Sequence, residues 1–212
     1  MPRPPGDCGF RQPNRRIGSG SLPSLVVNVL WRTLIVMLTA RRRLRRSGRI
    51  GPTEIGRVRV TTLPTDIDLL RHMNNGRYLS LFDLGRWDLL VRTGLWDVMK
   101  RYGWYAVVSS ETVTFRKSLG PWQRFDLESR MIGHDDKAVY LEHRAVVGGE
   151  VYARAIIRAR MMKRSGGTLS HDELFAAIGR PEGVPEVDEW VHEWAAASAL
   201  PPTRAEAPSV WN

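Results

Sequence analysis

Cysteine is nearly absent: Cys8 stands alone among 212 residues. A lone cysteine excludes a disulfide framework and any cysteine-based metal centre, and it fits a reducing, cytoplasmic setting. The five histidines, at 72, 134, 143, 171 and 192, have no metal-ligand spacing, so neither a metal nor a cofactor is expected. The nucleophile signatures are missing too: there is no G-x-S-x-G elbow and no P-loop. Gly18 and Gly20 begin a G-x-G, but position 23 is proline and no strand precedes it, so it reads as linker. The body also lacks net charge. Residues 1–50 hold eleven arginines, no lysine and one acid, Asp7, which accounts for the whole formal charge of +10, whereas residues 51–212 carry 21 basic and 21 acidic residues. A domain that reads nucleic acid carries its charge on its own face. Basicity confined to an arm argues against specific nucleic-acid binding and leaves only salt-sensitive attraction.

What is present divides the chain. Residues 1–21, rich in proline, glycine and arginine, read as disordered. Residues 22–50 read as an apolar and basic helix: Leu22 to Ala40 is apolar apart from Asn28, Arg32 and a few hydroxyls, and Arg41 to Arg46 reads RRRLRR. Arg32 argues against a signal peptide and against a membrane span, because a mid-bilayer arginine costs at least about 2.5 kcal/mol. Two readings stay open: a helix in contact with an anionic membrane surface, or an amphipathic helix docked on the domain with a solvated arginine tail.

Residues 55–165 read as the main domain. Arg57–Leu63 alternates like a strand. Asn74 or Asn75 caps a helix that ends at Arg92 and Gly94. Apolar residues spread round that helix, so it is expected to be buried on several sides. Gly85 in its interior is disfavoured by about 1 kcal/mol relative to alanine and predicts close packing against that face. Four alternating runs follow, Tyr105–Lys117, Phe125–Ile132, Ala138–Val147 and Val151–Met162, the last two joined by the hairpin signal Gly148-Gly149. Alternation implies one wet face per strand and an antiparallel sheet. A strand, a buried helix and a four-strand meander together give a sheet wrapped around a helix: an α+β hotdog fold. Residues 166–200 read as a helical extension, with a capping box at Ser170 and Glu173 and a last helix over Glu186–Leu200. Residues 201–212 read as a loose tail.

The chemistry concentrates in T-D-I-D-L-L-R-H-M-N-N-G-R-Y, residues 65–78. Asp66 and Asp68 lie two apart in a loop that feeds a helix N-terminus, where free N–H groups and the helix dipole favour negative charge. Turn-forming aspartates are the ordinary alternative. This stretch resembles the 4-hydroxybenzoyl-CoA thioesterase class of hotdog proteins, and within it the thioesterase superfamily member six-like group. The shared pattern is an aspartate loop, H-[MV]-N-N and a helix-opening tyrosine, here Asp66, Asp68, His72, Met73, Asn74, Asn75 and Tyr78.

The resemblance implies acyl-CoA hydrolysis. It puts the catalytic carboxylate at Asp68, as nucleophile or general base, and the carbonyl-polarising backbone N–H at Asn74 with Asn75 beside it. Several active relatives carry histidine where Asn75 stands, so a proton carrier is absent there. Asp66, His72 and Tyr78 are expected to line the substrate, and Arg116 and Lys117 to be within reach of CoA phosphates or to form a solvated strand end. Family clefts lie between subunits, which implies a homodimer or higher homo-oligomer. The competing function is a non-catalytic acyl- or lipid-binding hotdog protein at a membrane surface.

Overall fold

A computed structural model describes residues 24–179, 183–202 and 204–210. The expected disordered segment, 1–21, lies outside them. The elements in chain order are α1 (Ser24–Ser47), β1 (Gly56–Thr61), α2 (Asn75–Arg92), α3 (Leu95–Tyr102), β2 (Trp104–Phe115), β3 (Arg124–His134), β4 (Val139–Val147), β5 (Glu150–Lys163), α4 (His171–Ile178) and α5 (Glu189–Ala197).

The five strands form one antiparallel sheet in the order β1-β3-β4-β5-β2. The expected four-strand meander shrinks to three, β3-β4-β5, at the centre; β2 pairs with β5 rather than with β3, so β1 and β2 are the edges. On β3 the alternation follows the sequence pattern, with Phe125, Leu127, Ser129, Met131 and Gly133 buried and the residues between them partly exposed. A register shift between Ala145 and Val146 breaks the simple alternation expected of β4, so that both residues are buried.

α2 buries Tyr78, Leu81, Phe82, Leu84 and Leu89 between the sheet and α1. Gly85 is the point of closest approach: a Cβ there would collide with the Ser129 hydroxyl and press on Leu127. That is the close packing the glycine predicts. Ser129 in turn hydrogen-bonds His143 Nδ1 at 2.6 Å, and the imidazole stacks on Phe82 with ring centroids 5.7 Å apart. Burial holds the His143 pKa down to about 3, with Arg86 adding to the shift, so the ring sits in the core as a neutral base.

One feature goes beyond the sequence expectation, and a second realises one of its two open readings. α3 follows α2 directly after Gly94, whose positive φ of 79° turns the chain; its apolar positions are too few to stand out. And α1 docks against α2 and β1 through polar anchors. Arg32 reaches the wholly buried Asp66 at 2.9 Å and the Thr61 carbonyl at 3.0 Å. Asn28 Nδ2 donates to Thr65 Oγ1 at 2.6 Å. Arg43 donates to the Arg57 carbonyl at 2.7 Å, and with Arg92 it lies within 3.7 and 3.6 Å of buried Asp88. Val36 and Ala40 seal the contact. No helix among the described residues is long and apolar enough to cross a membrane.

Candidate functional site

The loop before α2 is built to be tight. Its ends are bridged at Ile67 and Met73. The Asp68 N–H donates to His72 O at 3.0 Å, and the Arg71 N–H to Asp68 O at 3.0 Å. Arg71 takes a left-handed φ of 63°, uncommon for a side chain of its size. Met73 is pinned by its N–H to Leu119 O at 2.7 Å.

Within that frame the two aspartates separate. Asp66, expected at the substrate, is instead a structural post. It is 0 % exposed, is held by Arg77 at 2.8 Å and Arg32 at 2.9 Å, and accepts the Leu63 N–H at 2.9 Å. A carboxylate buried with two arginines has no face left for a ligand. Asp68 is half-buried. Its Oδ1 accepts the Leu70 N–H at 2.9 Å, the turn-forming bond open to any aspartate in a loop, and its Oδ2 lies 3.6 Å from His72 Nδ1. His72 therefore sits beside this carboxylate and is partly exposed.

The helix amide needs a second correction. The Asn74 N–H, expected to polarise a carbonyl, donates to Asp66 O at 2.9 Å, and the Asn74 side chain caps the Gly76 N–H at 2.9 Å. The N–H of Asn75, one residue on and exposed, has no protein partner among the described residues. Tyr78 is corrected as well: it is 2 % exposed and meets Phe115 edge-on at 5.0 Å and Phe82 at 6.1 Å. Burial raises its pKa against a hydrogen bond to the Leu119 backbone, which makes it core rather than substrate contact. Arg116 and Lys117, next along β2 from Phe115, lie at this same end of the sheet. Each binds Glu150 at 2.7 Å, and Lys117 lies 5.7 Å over the Tyr152 ring. Both stay half-exposed with spare donors.

The main apolar space lies elsewhere. A cavity of about 530 Å³ opens under the second half of α2, between Trp87, Leu90, Trp96 and Met99 on the helices and Trp104, Met131 and Met161 on the sheet. That volume falls within the roughly 300–1,000 Å³ usual for small-molecule pockets. Asp83 and Arg86 mark its boundary with an open depression lined by Leu79, Ser80 and residues 108–111 of β2. Burial raises the pKa of Asp83, with Arg86 opposing. It also raises that of Glu111, where Arg86 opposes and Asp83 adds. Arg86 pairs with Asp83, yet its buried Nη1 has no hydrogen-bond partner among the described residues. Neither the cavity nor this polar mouth was legible in the sequence, since the lining comes from α2, α3, four strands and α4. Among the described residues no His, Cys, Asp and Glu cluster fits a metal ion.

Residues 62–195 match the thioesterase-like superfamily. The chain belongs to that superfamily. Relatives include Protein THEM6 of Xenopus laevis, 33 % identical over 131 residues, and Protein THEM6 of Danio rerio, 30 % identical over 129 residues. Each match covers 61 % of this chain, and the chain spans only 63 % of either relative's length. Solved structures share the hotdog fold. YbaW from Escherichia coli, a probable thioesterase, aligns with a TM-score of 0.55 at 20 % identity over 59 % of this chain and 97 % of that one. A DHNA-CoA thioesterase from Staphylococcus aureus aligns with a TM-score of 0.52 at 13 % identity over 68 % and 90 %. The α+β hotdog expectation and the family resemblance are both borne out.

Proposed function

We propose that this protein is an acyl-CoA thioesterase that works as a homodimer. The observation that carries the reading is the apolar cavity beneath α2 in a member of the thioesterase-like superfamily: it offers a hydrocarbon chain a mostly apolar lining. The chemistry falls to the other end of the helix. Water, activated by Asp68, adds to the thioester carbonyl carbon; alternatively Asp68 attacks first and water resolves the anhydride. The carbonyl oxygen gains charge, and the Asn75 N–H at the helix N-terminus stabilises it; one such donor is worth about 3–4 kcal/mol. The C–S bond then breaks, the acid leaves, and the thiolate of CoA takes up a proton. His72, beside Asp68, orients that carboxylate. Arg116 and Lys117, on the same end of the sheet, meet the CoA phosphates.

Symmetry joins the two ends. α2 runs antiparallel to β2, because Tyr78 meets Phe115 while Leu90 shares a cluster with Trp104 and Ala106. β2 is a free edge that exposes Tyr105, Val107 and Phe115, and such an edge invites pairing. A twofold that pairs two antiparallel β2 edges brings the Asp68 end of one subunit beside the cavity end of the other.

A second reading, a non-catalytic acyl- or lipid-binding protein, draws on one observation: Asp68 Oδ1 is already occupied by the Leu70 N–H. Steady-state hydrolysis of an acyl-CoA panel by wild type and Asp68→Asn separates the two. A collapse of rate in the variant is expected. Equal rates, or no hydrolysis by wild type, overturn the hydrolase and leave the binding protein.

A further inference from the structure

The two faces of α1 have different surroundings. One is docked on the domain through Arg32, Val36 and Ala40. The other faces out and is sorted by chemistry along its length. Its first half presents Leu30, Trp31, Leu34, Ile35 and Leu38, each 40 to 60 % exposed. Its second half presents Arg41, Arg42, Arg45 and Arg46, all exposed. At 3.6 residues per turn these nine positions fall within about 160° of arc, so they form one stripe. Among the described residues no ion pair holds Arg42, Arg45 or Arg46. The stripe adjoins the candidate site: the Asn28–Thr65 hydrogen bond ties the amino end of α1 to the loop whose tip is Leu69 and Leu70, 100 and 75 % exposed. Water-facing leucines beside a candidate catalytic aspartate serve no packing purpose in the chain itself.

We propose that this stripe lies on an anionic phospholipid bilayer. The apolar half enters below the headgroups, the arginine half binds lipid phosphates, and the Leu69–Leu70 tip inserts alongside. α1 lies along the surface and does not span it, since its opposite face is committed to the domain and it is not apolar enough to cross. Charge argues for lipid over a second copy of the chain. Parallel pairing of two such stripes sets arginines against arginines, and antiparallel pairing buries arginines on leucines. A lipid surface satisfies both halves at once, and each arginine near it adds about 1 kcal/mol. On the thioesterase reading, on which this clause rests, the loop bearing Asp68 is thereby held at the membrane to receive long-chain acyl-CoA partitioned there.

Cosedimentation of the full chain with vesicles tests the surface. Wild type is expected to bind vesicles of equimolar phosphatidylcholine and phosphatidylglycerol and to bind phosphatidylcholine alone far more weakly. The triple variant Trp31→Ser, Leu34→Ser, Leu38→Ser and the double variant Arg45→Gln, Arg46→Gln should each weaken binding at least about tenfold. All the substituted side chains face outward, so circular dichroism should be unchanged. Wild type remaining in the supernatant overturns the proposal, as does undiminished binding by the triple variant. A variant whose oligomer shrinks while its vesicle binding holds overturns it in favour of a second copy. Hydrolysis of butanoyl-CoA without vesicles is read in parallel. If binding persists and hydrolysis is absent, the thioesterase reading fails and the surface stands; if hydrolysis is intact and no binding is seen, the surface fails alone.

Discussion

At its amino end α2 presents a half-buried carboxylate, a neighbouring imidazole and an N–H with no protein partner among the described residues. Beneath its second half it presents a partly open apolar space with the Asp83–Arg86 pair at its mouth. Between the two, Phe82, Gly85, Ser129 and His143 pack with no gap. One end has polar, titratable groups without an apolar pocket, and the other has an apolar pocket with its charged groups at the margin. A single buried helix cannot supply both at one point, because the close contact that fixes helix to sheet fills the space a ligand would need. On the proposed dimer reading, pairing two antiparallel copies resolves this.

The largest effect is expected at the reactive end. Asp68→Asn should lower kcat on acyl-CoA by about 10²–10⁴-fold, the usual contribution of a positioned acid or base, with thermal stability little changed because the side chain is half-exposed. A variant that keeps its rate removes the chemistry from this end of α2. Val107→Lys on the free edge of β2 comes next. It should convert a dimer to monomers in sedimentation velocity and cut kcat/KM at least about tenfold. Full activity as a monomer would show that one chain completes the site and would dissolve the contrast. Ala106→Phe fills the apolar end. It should lower the long-chain to short-chain ratio of kcat/KM by roughly tenfold, since each lost methylene contact is worth about 1 kcal/mol or more; an unchanged ratio assigns the acyl chain to another place.

The smallest effect tests the partition itself. His143 is neutral when folded, its pKa held down to about 3 by burial and by Arg86, and it ionises nearer 6.5 once unfolded. The unfolded chain therefore takes up the proton first on acidification. The resulting stability is fully present above pH about 6.5 and is lost as pH falls toward 3, by about 1.4 kcal/mol per pH unit. Urea unfolding at pH 7.5, 6 and 5 should show that slope, and His143→Gln should remove it. An identical slope in the variant would mean that the imidazole is hydrated and that the two ends communicate.

Local pattern was legible wherever one residue's neighbours in sequence are also its neighbours in space. The helix caps, the Ser170–Glu173 capping box, the β4–β5 hairpin and the close packing at Gly85 follow from short-range rules about N–H partners and side-chain volume. The loop shows where that stops. Asp66 and Asp68 look alike in D-I-D, and what distinguishes them is Arg32, 34 positions upstream, which joins Arg77 to bury one and leave the other. Asn74 looked like a free amide donor until the Asp66 carbonyl, brought round by the Ile67–Met73 bridge, took its N–H.

The sequence by itself determined the antiparallel sheet around a helix, the aspartate loop at that helix's start and an arginine-rich arm apart from a neutral body, because alternation, capping and charge are written in runs of adjacent residues. Only the tertiary structure decided which aspartate stays accessible, where the apolar cavity lies and which face of α1 is left to solvent. Those depend on side chains from distant segments competing for the same volume and the same hydrogen bonds, and that competition has no trace in any one stretch of the chain.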